Sequence, residues 1–215
     1  MGERFTSLLF KRIFLFLFFI STISYGQFYH GLDVGINSTS TDFLVGESVE
    51  PSRGTGFSVG YMFERELSDR VFLRLGLNFN RRSFKAIKRS GINTTNEKWG
   101  IDVIEVPVNL GYYLNFNRRN FQFFVDAGLN AGFNNRAITK NDTETVFLDI
   151  GGDADVKRLS FGANASAGLL IKKRVKFRLN YYHGLTNIVN TDNDTWKNRT
   201  ISVSVNYFLR EKIVY

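Results

Sequence analysis

The ten residues Val71–Asn80 (VFLRLGLNFN) decide how this chain folds. Val71, Leu73, Leu75, Leu77 and Phe79 are apolar; Arg74, Gly76 and Asn78 alternate with them, and Asn80 follows. A period of two is the mark of a β-strand with two unlike faces. The same alternation runs through Phe28–Asn37, Gly54–Glu64, Ile101–Leu114, Phe121–Phe133, Arg158–Leu170, Val175–His183 and Thr200–Leu209. Each stretch has the roughly 9–11 residues that a tilted strand needs to cross a bilayer. Their Gly and Asn content disfavours helices.

The connections carry a second signal. Arg65–Arg70, Asn115–Asn120 and Ile171–Arg174 are short, whereas Ser38–Arg53, Arg81–Gly100, Asn134–Lys157 and Gly184–Arg199 are long. Short turns on one side and long loops on the other are the layout of a bacterial membrane barrel, with the turns periplasmic. The expected fold is all-β: an eight-stranded, antiparallel, up-and-down transmembrane β-barrel with short periplasmic turns and long extracellular loops.

The two faces fit that reading. One face is uncharged through its centre, as in Leu32, Val34 and Ile36, or Ile104, Val106, Val108 and Leu110. A Lys or Arg at mid-bilayer costs about 2–4 kcal/mol, so a lipid-facing stripe has to be free of them. The other face holds Asp33, Arg74, Glu105, Asp126 and Arg178 among Asn, Ser and Gly. An eight-stranded barrel has room only for its own side chains. Charges confined there are expected to pair as a structural plug, because an unpaired buried charge is costly. A soluble barrel would turn the apolar face inward. Aromatics favour lipid outside: Phe28, Phe63, Tyr112, Phe121, Phe177 and Tyr207 fall at the periplasmic rim, and Phe79, Phe133, Phe161 and Tyr181 at the outer rim. Two such rings are the expected interfacial girdles.

The N-terminus reads as an export signal. Arg4, Lys11 and Arg12 precede the short apolar run Ile13–Ile20 (IFLFLFFI), followed by Ser24 and Gly26 at the positions a signal peptidase favours. Residues 1–26 are therefore expected to be a signal peptide and 27–215 the barrel domain. Removing three basic residues and one acidic residue lowers the formal charge from +8 to +6. That charge is spread over turns and loops with no basic helix, so a nucleic-acid partner is not expected. Without cysteine there is no disulfide framework, thiolate metal site or lipid-anchoring thiol. The expected location is the outer membrane of a diderm bacterium. The expected partners are its lipid and lipopolysaccharide, and the barrel-assembly machinery during insertion.

Pro107 interrupts the fourth strand, where it cannot donate to the ladder and implies an irregularity. The run around it, IEVPVNLGYYL (Ile104–Leu114), is similar to a segment of the PorT-like outer-membrane β-barrel family. YYHGLTNI (Tyr181–Ile188) resembles that family's most recognisable string, and RTISVSVNYFL (Arg199–Leu209) its last strand. The resemblance implies a porin-like form, no catalytic residue to carry over, and, through the founding member, a link to protein secretion. Such barrels commonly end on an aromatic; here Phe208 is followed by Leu209–Tyr215.

Few residues invite chemistry. His183, with Ser38, Ser40, Asp192 or Asp194 folded close, is the one arrangement worth testing as a hydrolase site; His30 is the other histidine. A polar interfacial histidine is the simpler reading, and no enzyme or cofactor is expected. Asp149, Asp153 and Asp155 in DIGGDAD do not match an EF-hand spacing, and a solvated turn is expected there in place of a metal site. Arg81, Arg82, Lys85, Lys88 and Arg89 form a basic loop that would meet anionic lipopolysaccharide headgroups. The favoured role is structural or interactive, with a narrow porin and an accessory subunit of a secretion apparatus as alternatives.

Overall fold

The computed structural model describes residues 28–44, 49–90, 93–118, 121–141, 144–152, 155–190 and 195–210. Nine strands follow one another: β1 (Phe28–Leu44), β2 (Val49–Glu66), β3 (Val71–Ser90), β4 (Asn93–Arg118), β5 (Phe121–Lys140), β6 (Thr145–Leu148), β7 (Leu159–Ile171), β8 (Val175–Gly184) and β9 (Thr195–Phe208). Eight of them close a barrel in which sequence neighbours pair antiparallel, β5 pairs with β7, and β1 pairs with β9. The short β6 hangs on the outer end of β5 as a hairpin. No helix occurs among the described residues.

The wall settles which face meets lipid. Ile36 is 70% exposed and Leu129 65%, and the rest of the apolar stripe is likewise turned out. Asp33, Arg74, Glu105, Asp126 and Arg178 are buried inside. A soluble barrel has the opposite arrangement, and so large an apolar belt is stable only against hydrocarbon. The aromatics of both girdles point outward, and Phe28 packs on Phe63 with ring centroids 5.6 Å apart.

The strands run well past the membrane. Most of Ser38–Arg53 and nearly all of Arg81–Gly100, expected as loops, continue the ladder: Lys88 pairs with Thr95, and Leu44 with Thr195. The physical reason is an inversion of the faces. Above Phe79 the inward residues of β3 become Phe84 and Ala86, while Arg81 and Lys85 point out. Above Ile101, β4 likewise presents Lys98 outward. Once water replaces lipid outside, the apolar face has to turn inward. An apolar-out criterion stops at that boundary although the strand does not.

That outer section has its own apolar core. Phe84, Ala86, Ile101, Val103, Ala137 and Trp196 meet Val156 and Ile188, which the β6–β7 and β8–β9 connections fold into the mouth. Trp196 packs edge-to-face on Trp99 and Phe84, at 5.6 and 5.3 Å. A second apolar layer fills the periplasmic end: Tyr29, Met62, Phe72, Tyr113, Phe124, Leu170 and Phe208. Space there is matched closely. A Cβ on Gly111 would lie 2.1 Å from the ring of Phe72, so glycine is what lets that ring lie against the wall.

Pro107 leaves a gap in the ladder. Pairing between β3 and β4 lapses between Leu75↔Val108 and Asn78↔Glu105 without a change of register, while Pro107 still faces Asn130 of β5. Register shifts occur elsewhere, between Arg53 and Phe57 and between Asp102 and Val103.

Within the periplasmic layer Lys176 and Glu64 form an ion pair of 2.6 Å with no solvent exposure on either side chain. The Lys176 ammonium also donates to the Tyr113 hydroxyl (3.2 Å) and lies 4.0 Å from the ring centroids of both Phe72 and Phe124. Losing one member of a buried pair leaves the other uncompensated, at a cost of about 3–5 kcal/mol. Lys176→Met alone should therefore lower unfolding stability in detergent by about that amount, whereas the double change with Glu64→Leu should recover most of it. Urea titration followed by tryptophan fluorescence measures both.

The β7–β8 turn supplies a test of opposite sign. Lys172 and Lys173 have φ of 45° and 60°, and Arg174 N–H donates to the Ile171 carbonyl at 3.1 Å. Two left-handed central residues define a type I′ hairpin, which favours Asn-Gly. Lys173→Gly should stabilise the barrel by about 1 kcal/mol, read as a higher urea midpoint.

Candidate functional site: the polar lumen and the outer rim

Between the two apolar layers lies a polar section whose residues come from every barrel strand. Arg74 of β3 reaches Asp126 of β5 at 3.2 Å. The same carboxylate accepts from Ser166 at 2.9 Å and from Asn109. Arg178 of β8 pairs with Asp33 of β1 and donates to Ser204 at 3.1 Å. Of the five inward charges expected from the sequence, four thus fall into two pairs.

The fifth, Glu105, pairs at 2.6 Å with Arg82, and Asn80 donates to its second oxygen. Arg82 corrects the basic-loop expectation: it lies on β3, is 4% exposed, and points inward with its guanidinium 4.0 Å from the Tyr182 ring centroid. A side chain one position from Arg81 on a strand must take the other face. Arg81 and Lys85 point outward on the same strand. Lys88 and Arg89 also belong to β3 and not to a loop, and their side chains lie outside the described residues. Glu64 and Lys176 escaped the sequence reading. Glu64 closes its stretch at a turn, and Lys176 sits second in its own, where charges are usually solvated.

These groups line a cavity of about 50 Å³ bounded by Asp33, Arg74, Glu105, Arg178, Asn130 and Tyr182, among others. Asp33 Oδ1, Asn130 Oδ1, and Arg178 Nε and Nη1 have no hydrogen-bond partner within the protein there. A polar space of that size with several such groups suits one or a few waters. It is too small for a sugar or an amino acid.

The hydrolase arrangement does not assemble from its described members. His183 of β8 pairs with Arg199 of β9, which in turn pairs with Ser40 of β1. The serine is two strands away, roughly 10 Å, well beyond hydrogen-bond reach. Ser40 instead donates to the Arg199 carbonyl at 3.4 Å, and His183 stacks near Tyr181. Asp192 and Asp194 lie outside the described residues. His30 contacts the Tyr61 hydroxyl at the opposite rim.

In the DIGGDAD stretch the Asp155 carboxylate accepts from the Asp149 backbone N–H at 3.2 Å, and Asp153 lies outside the described residues. Among the described residues no three His, Asp or Glu side chains converge as a metal site.

Comparison with known proteins agrees with this architecture. Residues 24–190 match the family described as outer membrane protein beta-barrel domain. A search of curated proteins finds no match. Among solved structures the chain is similar to OprG, an outer membrane protein of Pseudomonas aeruginosa, at 12% identity and a TM-score of 0.48, covering 84% of this chain and 94% of that one. It is also similar to Neisserial surface protein A (16% identity, TM-score 0.43, 82% and 96% covered). Ail, the attachment invasion locus protein of Yersinia pestis, solved in complex with a heparin analogue, gives 12% identity and a TM-score of 0.43, with 85% and 99% covered. With the match spanning most of the strands, the chain belongs to the outer membrane protein beta-barrel domain family and resides in the outer membrane of a diderm bacterium.

Proposed function

We propose that the protein is a closed, non-catalytic barrel that works through its outer end as a structural or interaction element of the outer membrane. The observation that carries this is the stacking of the lumen: an aromatic layer, a paired polar layer and a second apolar layer roofed by Val156 and Ile188. A solute would have to displace Phe72, Phe124 and the Lys176–Glu64 pair at one end and Trp196 at the other. Each is a large, well-packed group whose removal costs several kcal/mol. Residues 1–26 act as the export signal in this reading, and the barrel-assembly machinery inserts the mature chain.

Purified barrel reconstituted in planar bilayers should give no discrete conductance steps up to the voltages that the lipid survives. Reproducible unitary steps from the parent protein would establish the narrow porin instead.

A second reading, an accessory subunit of a secretion apparatus, is favoured by the resemblance to PorT-like barrels. The most recognisable of its three strings, Tyr181–Ile188, is a structural element of the mouth: Asn187 accepts from the Trp196 backbone N–H at 2.8 Å, and Thr186 from that of Phe161 at 2.9 Å. If the secretion role holds, deleting the gene should abolish export of a secreted reporter while leaving outer-membrane permeability unchanged. Normal secretion in the deletion strain would remove this reading.

A further inference from the structure

Folding places three lysines from distant parts of the chain side by side. Lys85 of β3 pairs with Lys98 of β4, and Lys98 pairs with Lys140 of β5. Phe84 and Trp99, next to Lys85 and Lys98, and Ala137, three residues before Lys140, face the inner core, so by strand parity the lysines occupy the outer surface, where all three are exposed. Ser52 of β2 and Thr145 of β6 continue the row on either side, with no carboxylate in it. No ion pair joins any of the three to an acidic side chain among the described residues. Like charges directly opposite one another weaken a sheet, so nothing in the stability of the fold calls for this row.

Four residues nearer the membrane, a second row crosses the same strands: Arg81, Asp102 and Arg136. Arg81 holds Asp102 with two bonds of 2.6 Å and lies 5.8 Å from the Phe57 ring. Arg136, on the other side of that carboxylate, stacks 4.8 Å from Phe147. One acidic group among six in the two rows leaves the face strongly cationic.

Height selects the ligand. Arg81 is two residues above the girdle residue Phe79 along β3, and Lys85 is six above it. At about 3.3 Å per residue and a tilt near 40°, the arginine row sits roughly 5 Å above the girdle and the lysine row roughly 15 Å. A phospholipid headgroup layer is only about 5–8 Å deep on each side. A short headgroup therefore reaches the arginines and not the lysines.

We propose that the β3–β4–β5 outer face binds a tall anionic glycolipid of the outer leaflet. Its lipid-proximal phosphate sits at Arg81 and Arg136, and its more distal sugar phosphates or carboxylates lie along Lys85, Lys98 and Lys140. The proposal rests on the placement of the long end of the barrel outside the cell. It gives the proposed interaction role a ligand class.

The test uses the full barrel in neutral phosphatidylcholine nanodiscs doped with lipopolysaccharide, phosphatidylglycerol or neither. The triple variant K85S/K98S/K140S is compared with the parent and with K172N/K173G, which removes charge at the periplasmic end. Folding of each is checked by the electrophoretic shift between unheated and heated samples. The parent and the periplasmic variant should bind lipopolysaccharide equally and the triple variant at least ten-fold more weakly, with no difference among the three for phosphatidylglycerol. Equal lipopolysaccharide binding by the triple variant overturns the proposal, as does an equal loss toward phosphatidylglycerol. Tighter binding of a soluble sulfated polysaccharide than of lipopolysaccharide would also overturn it, by making the occupant a free polyanion. Conductance of the same preparations separates this result from the closed-barrel reading: silent bilayers with no glycolipid binding remove only the glycolipid site, and conducting bilayers with binding remove only the closure.

Discussion

Everything in this molecule depends on the seam where β1 meets β9, from Gly31↔Phe208 to Leu44↔Thr195. Lipid offers no hydrogen bonds, so a sheet can lie in it only if it has no edge. Closing eight strands fixes the diameter, and the diameter leaves a lumen that side chains alone can fill. Glycine at Gly111 and Gly162 makes room for Phe72 and Tyr182, whose rings would lie 2.1 and 2.3 Å from any Cβ at those sites. The narrowness also forces charges into contact: Arg74 with Asp126, Arg178 with Asp33 and Arg82 with Glu105 join strands that are not neighbours in the barrel wall or lie across a shared pair. The seam thus sets the packing, and the packing sets the electrostatics.

The lipid-spanning half was legible because one physical rule governs every strand there. Leu73, Leu75 and Leu77 have to be apolar, whatever their partners, because hydrocarbon surrounds them all. The outer half obeys no such uniform rule. Above Phe79 the faces exchange character, so Phe84 reads as a stray apolar residue in a basic loop until its neighbours Ile101 and Trp196 are known. Arg82 reads as one more cation among Arg81 and Lys85 until strand parity sends it inward to Glu105. Glu64 and Lys176 lie 112 positions apart and meet only because the barrel closes. The cationic row fails to show for the same reason: Lys85, Lys98 and Lys140 fall in three segments, and only the register between β3, β4 and β5 aligns them.

A polar lumen looks wasteful, since replacing buried ion pairs with apolar groups of similar volume is often neutral or stabilising. The reason to keep it lies in what an apolar lumen would do to the strands. Filling the inward positions of β3 or β9 with Leu and Val would make both faces apolar, and the strands would lose the contrast that fixes which side faces lipid. It would also turn β4, at 26 residues, into a run long enough to stop in the first membrane an exported chain crosses, where about 20 apolar residues suffice. Glu105, Pro107, Asn109 and Gly111 break that run at every second position. The charges inside are then the consequence of a sequence that has to remain hydrophilic on average, at a mean hydropathy of −0.15, and still present an unbroken apolar wall to the bilayer. Pairing them costs little once closure sets partners on adjacent or next-but-one strands side by side, and an unpaired member costs several kcal/mol. Correct closure is therefore the state in which those charges are satisfied, and a slip of one strand past its neighbour would separate them.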